Sequence, residues 1–517
     1  MNRAERALLI SATALALLLA LSPFPARAGE SPSAADLPAA AEAAPESPGT
    51  LSVTVSEAVL LALENNRAVL VQRLNPAISR TYEDQEQAVF DPVISAGAAV
   101  SGFREADRSG VISKGSGPEA RVSVEKKLET GATVSAGASS RLTTGEDLPD
   151  QYVSRVGVEA DQPLLRGRGS EVNLARLRQA RLDTSFSQYE FRGFAEALVA
   201  LVENTYWDLV LAKKKVAIVE ESLALAQQQL DETRYRIKVG KLAEVEIAAA
   251  EAEVALRREA LINARSLARS LTVRSLRLIR PRDLSLPDRE IVTLSEPGAD
   301  QPELEPVEYY VETALATRPD VSQAKVLLQR EDLELVKTKN GLLPRMDLFV
   351  SLGKTGYADS FGGSMSDITG SGYDAAAGLS FEYPAGNRDA QARRQRSWLT
   401  REQRRQALGN VKDLARQDVE LAYIEVERTR QLVSATAITE RFQEETLRAE
   451  TAKFRVGKST GLLVAQAQRD LLASQVAQVE AMTTFLKART NLFLMDGSLL
   501  ARRGLLTPDE KHGKPAP

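Results

Sequence analysis

The chain of 517 residues contains no cysteine and a single histidine. Without cysteine the fold cannot contain a disulfide, a thiolate nucleophile or a lipid attached to an N-terminal cysteine. The histidine, His512, lies in a polar C-terminal tail, where a lone side chain is typically solvated. Triad catalysis and zinc chemistry are therefore excluded, and no carboxylate pair is marked out for hydrolysis. The sequence predicts a protein that is not an enzyme and that carries no cofactor and no metal.

Long apolar runs are also scarce. The run at 7–21 follows two arginines and precedes small residues that end at Ala28. This order predicts a secretory signal peptide over 1–28, because the run is shorter than the roughly 20 residues of a spanning helix. Residues 29–50, rich in Ala, Pro, Ser and Glu, are predicted to be a disordered leader, and 501–517 a flexible tail. A net charge of -4, with Lys and Arg spread along the chain, argues against nucleic acid binding.

The rest of the chain contains one plan twice. Five residues recur 252 positions later, namely Val59, Ala62, Leu63, Val69 and Pro92 as Val311, Ala314, Leu315, Val321 and Pro344. Two further features recur 217 positions later, namely Tyr206 as Tyr423 and Val239-Gly240-Lys241 as Val456-Gly457-Lys458. The duplication predicts a first repeat at 51–279 and a second at 307–500, joined by an irregular proline-rich connector at 280–306.

Each repeat is predicted to contain a helix, a set of strands and a long helical hairpin. These elements are 55–88, 93–163 and 171–277 in the first repeat, and 307–340, 346–381 and 390–494 in the second. From Val202 to Ile237 apolar residues are spaced alternately three and four apart, which is the seam of a coiled coil. The hairpins are predicted to turn at Gly240 and Gly457, because a glycine that adopts positive φ lets one helix end and the next return beside it.

The strand regions give the weaker signal. Between its two prolines the first repeat has 31 more residues than the second, which favours four strands in the first repeat and two in the second. The bounding prolines are Pro92 and Pro163 in the first repeat and Pro344 and Pro384 in the second. Polar stretches at 104–119 and 143–151 predict long loops and 129–131 a tight turn, an asymmetry typical of outer-membrane barrels. A soluble β-sandwich would show similar alternation, so the strands alone leave both folds open.

Taken in order, these features resemble the TolC family of outer-membrane efflux and secretion channels, over about 51–500. The motifs that carry the resemblance are Val55 to Asn66, Phe90-Asp91-Pro92, Gln162 to Gly169, Tyr206 to Leu209 and the paired Val-Gly tips. The resemblance implies a mainly α fold with a β membrane part, forming in a homotrimer an α-helical barrel plus a shared transmembrane β-barrel. Members commonly contribute four strands per chain, so six strands would be a departure that changes the size of the barrel.

The resemblance also implies a location and partners. It predicts an outer-membrane protein with a periplasmic extension, in contact with outer-membrane lipid, that provides a passive duct in a tripartite efflux pump or a type I secretion system. Its partners would be a periplasmic adaptor (membrane fusion protein) and an inner-membrane transporter, and the pump rather than the duct would select the cargo. The alternative is a periplasmic coiled-coil adaptor or envelope tether with a soluble β-domain. Two hairpin tips at equal internal spacing favour the channel.

Two groups of candidate site residues follow from the resemblance. The adaptor-docking tips would be Val239, Gly240, Lys241, Val456, Gly457 and Lys458. Close to the first tip, Glu244, Glu246 and Glu251 are candidates for an acidic pore constriction that favours cations. The plainer alternatives are that the glycines only make turns and that the carboxylates are ordinary solvated charges on a helix surface.

Overall fold

The computed structural model describes residues 50–106, 112–145, 150–240, 242–280, 290–298 and 303–505. The predicted signal peptide, the leader before residue 50, the tail beyond residue 505 and Lys241 of the first tip lie outside the described residues. The chain divides into two compact units. The first contains Thr81–Arg181 and Arg330–Arg401, and the second contains 50–80, Leu182–Gln329 and 402–505.

The described residues contain both copies of the predicted plan. The first repeat contains β1 (Thr50–Val53), α1 (Val55–Asn65), α2 (Arg67–Gln72), α3 (Leu74–Gln87), β2 (Val93–Ala106), β3 (Ile112–Lys127), β4 (Thr133–Gly145), β5 (Gln151–Pro163), α4 (Ser170–Asn173), α5 (Ala175–Lys238) and α6 (Glu246–Ile279). The connector contains β6 (Glu290–Thr293). The second repeat contains α7 (Val307–Thr317), α8 (Pro319–Asn340), β7 (Arg345–Ala358), α9 (Phe361–Asp367), β8 (Asp374–Glu382), α10 (Arg388–Arg455), α11 (Gly461–Met495) and α12 (Leu499–Arg502). The predicted fold class, a duplicated and mainly helical chain with a β part, is confirmed.

The opening helix of each repeat is interrupted, where a continuous helix was expected. In place of 55–88 the chain forms α1, α2 and α3. α1 ends because Asn66 is extended, and the Asn66 side chain caps the N-terminus of α2. In place of 307–340 the chain forms α7 and α8. The break falls at Arg318 because the following Pro319 disfavours a helical conformation in the residue before it and then opens α8.

The strands extend into the stretches that were expected to be long loops. Within 104–119, β2 and β3 remain paired as far as Ala106 and Ile112, and within 143–151, β4 and β5 remain paired as far as Thr143 and Gln151. Pairing satisfies backbone N–H and C=O groups whatever the side chains are, so a polar sequence does not by itself end a strand. The prediction of long loops was therefore wrong for the described parts of these stretches.

The connector 280–306 is not wholly irregular. Its strand β6 pairs in parallel with β1 and places Ile291 beside Leu51, and both side chains are buried. A four-residue strand whose partner lies far away in the sequence carries little local signal, because strand formation depends on its neighbours. β1 also begins inside the expected leader, 29–50, and α12 ends inside the expected tail, 501–517.

The first unit contains an antiparallel sheet in the order β2-β3-β4-β5-β7-β8, which are six strands among the described residues. This is the number that the longer first repeat favoured. Each residue of β5 from Tyr152 to Asp161 pairs with one residue of β4 and one residue of β7, so the paired residues form continuous rows across the three strands. Alternate residues therefore lie on the same face of the sheet from strand to strand. β2 and β8 are the edges of the sheet, and within the described part of the chain each has one side without a partner strand.

The second unit has a hydrophobic core built by its helices. The seam residue Leu209 of α5 is buried in it with Val419 of α10 and Leu492 of α11. Each such side chain contributes roughly 1.5–3 kcal/mol by leaving water. Tyr206 joins the β1–β6 pair to this core, because its hydroxyl donates to the carbonyl of Val53 at 3.1 Å. Within the described ranges, no helix is both long and apolar enough to cross a bilayer.

Candidate functional site

One face of the six-stranded sheet carries a continuous group of apolar side chains, and it is here called the apolar face. Its members are Ile94, Ala96, Ala98, Val100, Pro118, Ala120, Val122, Val124, Val134, Ala136, Ala138, Val156, Val158, Ala160, Met346, Leu348, Val350, Leu352, Ala375, Ala377, Leu379 and Phe381. Many of them are open to the surroundings, and Ile94 is 72% and Phe381 68% exposed. A contiguous exposed apolar surface that runs across all strands of a sheet marks contact with a membrane or a partner.

The opposite face, here called the polar face, carries serines, threonines and charges. Its charged members in the described part of the sheet are Glu119, Arg121, Glu125, Lys127, Arg141, Arg155, Glu159, Asp161, Arg345, Asp347, Asp374 and Glu382. Two ion pairs cross between its strands, Arg141 with Glu119 at 2.6 Å and Arg155 with Asp374 at 2.5 Å. A sheet of this kind separates an aqueous side from an apolar side, as the wall of a membrane channel must.

The apolar residues form a band that crosses the strands obliquely. Leu352 and Ile94 lie in one row of the register, yet Leu352 ends the band on β7 while Ile94 begins it on β2. From β2 to β7 the band therefore moves by about six residues, or about 20 Å, along the strand direction. The four spacings between these strands together measure about 19 Å. This shift corresponds to strands tilted by about 45°, at the upper end of the tilt of transmembrane β-strands.

Polar side chains limit the band at both ends. Gln162 and Lys126 lie at the end nearer the helices, and Lys354 and Ser154 at the end nearer the β7–β8 connection. Long polar side chains at such positions reach from an apolar layer into water. The band is thus finite in height, as it must be for a wall that crosses a single bilayer.

The predicted hairpin tips are tight glycine turns. Gly240 follows α5 with φ +67°, and Gly457 follows α10 with φ +76°. The N–H of Gly240 donates to the carbonyl of Ile237 at 2.9 Å, and that of Gly457 to the carbonyl of Phe454 at 3.1 Å. Apart from the neighbours in sequence, no atom of the described residues lies within 4 Å of a Cβ added to either glycine, so the positive φ rather than crowding requires glycine there.

The two tips contact each other. The Arg236 guanidinium lies 4.4 Å from the centre of the Phe454 ring and donates to the carbonyl of the same residue at 3.4 Å. Val239, Val456 and Lys458 remain exposed around this contact. The structure thus brings together two segments more than 200 positions apart and leaves apolar and basic groups free at their surface.

The three acidic candidates for a constriction differ in their surroundings. Glu251 pairs with Arg234 at 2.9 Å, so its charge is compensated. Glu246 opens α6, is half-buried and lies close to Gly461 at the start of α11. Glu244 is exposed in the turn before it. Glu246 is therefore the one of the three that faces the second hairpin.

Comparison with known proteins agrees with this geometry. A family model described as outer membrane efflux protein matches residues 310–498, which is most of the second repeat. Outer membrane efflux protein BepC of Brucella suis biovar 1 (strain 1330) is 26% identical over 462 residues, which cover 88% of this chain and 91% of that protein. The second repeat thus matches the outer membrane efflux protein family, and nearly the whole chain is similar to a curated outer membrane efflux protein. The resemblance to TolC-type channels and the predicted outer-membrane location are thereby confirmed.

Solved outer-membrane channels share the fold of this chain. The Campylobacter jejuni CmeC outer membrane channel matches with a TM-score of 0.62 at 14% identity, covering 86% of each chain. The open state of the Neisseria gonorrhoeae MtrE outer membrane channel matches with a TM-score of 0.60 at 18% identity, covering 88% of this chain and 91% of that chain. At these identities the likeness establishes the fold.

Sequence reasoning missed a buried ionic cluster in the second unit. Glu203 of α5 is buried, and it accepts hydrogen bonds from Arg503 at 2.5 Å and from Thr490 at 2.6 Å. One heptad earlier Glu196 is also buried and pairs with Arg192 at 3.2 Å. Acidic residues seven apart on a helix that is otherwise packed by apolar side chains were the available signal. The cluster joins the chain after α11 to the middle of α5.

Proposed function

We propose that three copies of this efflux protein form a passive duct, as the outer-membrane channel of a tripartite efflux pump or a type I secretion system. The observation that carries the proposal is the sheet, with an apolar face, a polar face and an oblique apolar band. The apolar face would meet lipid and the polar face would line water. Passive transport along such a duct requires only a lining in contact with water. We therefore infer that the protein is not an enzyme.

The open edges of the sheet support assembly. In a bilayer the unpaired N–H and C=O groups of β2 and β8 would cost several kcal/mol each, so the edges must meet partner strands. Six strands are too few to close a barrel alone, because even the small membrane barrels have eight. Pairing β8 of one copy with β2 of the next closes a ring, and three copies contribute about eighteen strands.

Eighteen strands would make an unusually wide barrel for this family. The diameter of a barrel grows roughly linearly with its strand number, so the duct wall would be about half as wide again as one of twelve strands. Fractionation and planar-bilayer recording test the proposal together. We expect a heat-modifiable trimer in outer membranes and a large, stable conductance. A monomer recovered in soluble or inner-membrane fractions would instead support the adaptor or tether reading.

Docking of the hairpin tips on a periplasmic adaptor is part of the proposal. The exposed Val239, Val456 and Lys458 offer apolar contact and positive charge at the end of a rigid hairpin, where functional residues often lie. Because the chain has no cysteine, Lys458→Cys introduces a single reactive site. We expect it to cross-link to the cognate adaptor, whereas Lys412→Cys, on the exposed surface of α10 far from the tip, gives no adduct. Equal labelling at both positions would argue against tip docking.

A cation-favouring constriction at the first tip is the finer part of the proposal. In a trimer three Glu246 carboxylates would surround one axis and attract cations. We expect Glu246→Gln to lower the cation preference measured from reversal potentials. Glu251→Gln is the matched control, because Arg234 already compensates that charge. Unchanged selectivity in Glu246→Gln would remove this part of the proposal and leave the duct intact.

A further inference from the structure

The short helix α9 lies on the apolar face of the sheet. It belongs to the connection between β7 and β8, and Ser360 caps it by accepting a hydrogen bond from the N–H of Gly363. A Cβ added to Gly356 of β7 would lie only 2.1 Å from the carbonyl oxygen of Ser364. Gly356 shares its face with Leu352, so the helix packs against the same face that carries the apolar band.

Hydrogen bonds hold α9 over a polar gap in this face. Ser140, Ser154 and Gly356 form one row of the register just beyond the band. The Ser154 hydroxyl lies 2.7 Å from that of Ser364 and 3.0 Å from that of Ser140. Ser154 and Ser364 are both 0% exposed. The helix therefore adds a hydrogen-bond partner for Ser154 and covers polar hydroxyls that would otherwise be open to an apolar medium.

The outward side of α9 is apolar. Phe361 and Met365, one helical turn apart, are 51% and 43% exposed. The Phe361 ring also makes an edge contact with Tyr152 of β5, at 6.4 Å between centroids. The carboxylate of Asp367 turns back to accept a hydrogen bond from the N–H of Tyr357. The helix thus presents apolar side chains outward while a polar end is tied to the strand.

On β5 and β7 the band by itself is lower than the apolar layer of an outer-membrane barrel. About 20 Å of strand tilted by about 45° spans roughly 14 Å along the membrane normal, against about 25 Å for an outer-membrane barrel. A helix is about 10 Å across. Placed directly above the band on β5 and β7, α9 supplies about the height that these strands lack.

We infer that α9 is an interfacial lipid anchor, seated on the outer wall of the barrel, with Phe361 and Met365 inserted among the lipids at the outer boundary of the hydrocarbon layer. The inference rests on the proposed channel function, since it needs the apolar face to meet lipid. Continuity with the apolar band identifies lipid as the occupant. Aromatic side chains at such a boundary are typical of outer-membrane barrels.

Spin labels on the cysteine-free chain test the inference. Single variants Phe361→Cys, Ile94→Cys and Ser135→Cys carry the nitroxide on α9, on the band and on the polar face. The full-length protein is reconstituted in phosphatidylcholine–phosphatidylglycerol vesicles, and collisions with oxygen and with a neutral nickel chelate are measured. We expect the labels at 361 and 94 to favour oxygen and the label at 135 to favour nickel.

The pattern of outcomes separates the inference from the function on which it rests. Oxygen preference at 94 with nickel preference at 361 would overturn the anchor and leave the channel standing. Nickel preference at both would overturn the channel as well. A label at 361 that meets neither reagent would show that protein covers α9, which also overturns a lipid anchor.

A substitution beneath the helix gives an independent test. Gly356→Ala has no room under α9, so it should displace the helix and lower the oxygen preference of the label at 361 while that at 94 is unchanged. Trimer formation on gels checks that each variant assembles. An unchanged label at 361 in the Gly356→Ala variant would contradict the described packing, and with it the anchor.

Discussion

Burial of the Glu196 carboxyl group gives a quantitative prediction for how stability depends on pH. Its side chain is 2% exposed in the core of the second unit. Burial raises the pKa of Glu196 to about 7, against the opposing effect of Arg192 and with a further upward contribution from the negative charges of Asp496 and Asp320. The folded protein therefore binds a proton at this site more tightly than the unfolded chain does.

The sign of the pH effect follows from that shift. A carboxyl group whose folded pKa lies above its ordinary value of 4.5 contributes stability that is fully present below pH 4.5 and is lost as the pH rises through about 7. The loss amounts to about 3 kcal/mol per subunit above pH 7, at 1.36 kcal/mol per pKa unit. Glu196→Gln has the shape of the protonated acid at every pH, so it should avoid the loss.

Thermal unfolding in detergent, followed by circular dichroism at several pH values, measures this effect. Near pH 5 we expect wild type and Glu196→Gln to unfold at similar temperatures. At pH 8 the variant should unfold several degrees higher, as expected for a gain of about 3 kcal/mol. Glu221→Gln, at an exposed position on the same helix, is the control and should show no such divergence. A variant that is less stable than wild type at pH 8 would refute the reasoning, since pairing with Arg192 would then outweigh burial.

Three further substitutions test other parts of the structure. Arg503→Ala leaves the buried Glu203 without its guanidinium partner and should cost about 3–5 kcal/mol in unfolding experiments, whereas Arg503→Lys should recover part of this; equal losses would deny the ion pair a role. Val158→Arg places a charge in the middle of the apolar band and should cost about 2–4 kcal/mol per copy, seen as lost trimer in outer membranes. Ser135→Arg on the polar face, between strands that carry glutamates, should be tolerated, and equal damage by both would contradict the assignment of faces. Gly457→Ala should lower stability by about 1 kcal/mol through its positive φ alone, and a more stable variant would show that the turn differs.

Periodicity made the helical part predictable. The seam from Val202 to Ile237 and the glycine turns depend on residues that are close in sequence. The same spacing of apolar residues recurs along the whole helix, so each turn supports the same prediction. Interruptions of helices were less visible because one side chain decides each of them. Asn66 and Pro319 break their helices, and both residue types signal such a break once they are considered singly.

The candidate site was predictable only in outline. The tips were located, but the contact between Arg236 and Phe454 joins segments from different repeats and leaves no pattern in either. The pairing of Glu251 with Arg234 likewise became visible only when the two helices were placed side by side. Side-chain partners across long sequence distances depend on the register between elements, which local propensity does not determine.

By itself the sequence determined the duplicated order of elements, the absence of thiol chemistry, the long coiled-coil helices and the glycine turns, since each follows from composition or from spacing within a few turns of chain. The tertiary structure alone decided which strands are neighbours and therefore which faces they share. It made one continuous apolar face out of six weak alternations, tilted its band by about 45°, and placed α9 over Ser154. These properties depend on pairing between segments that are distant in sequence. Several registers are compatible with the local sequence of each strand, and only the tertiary structure shows which one forms.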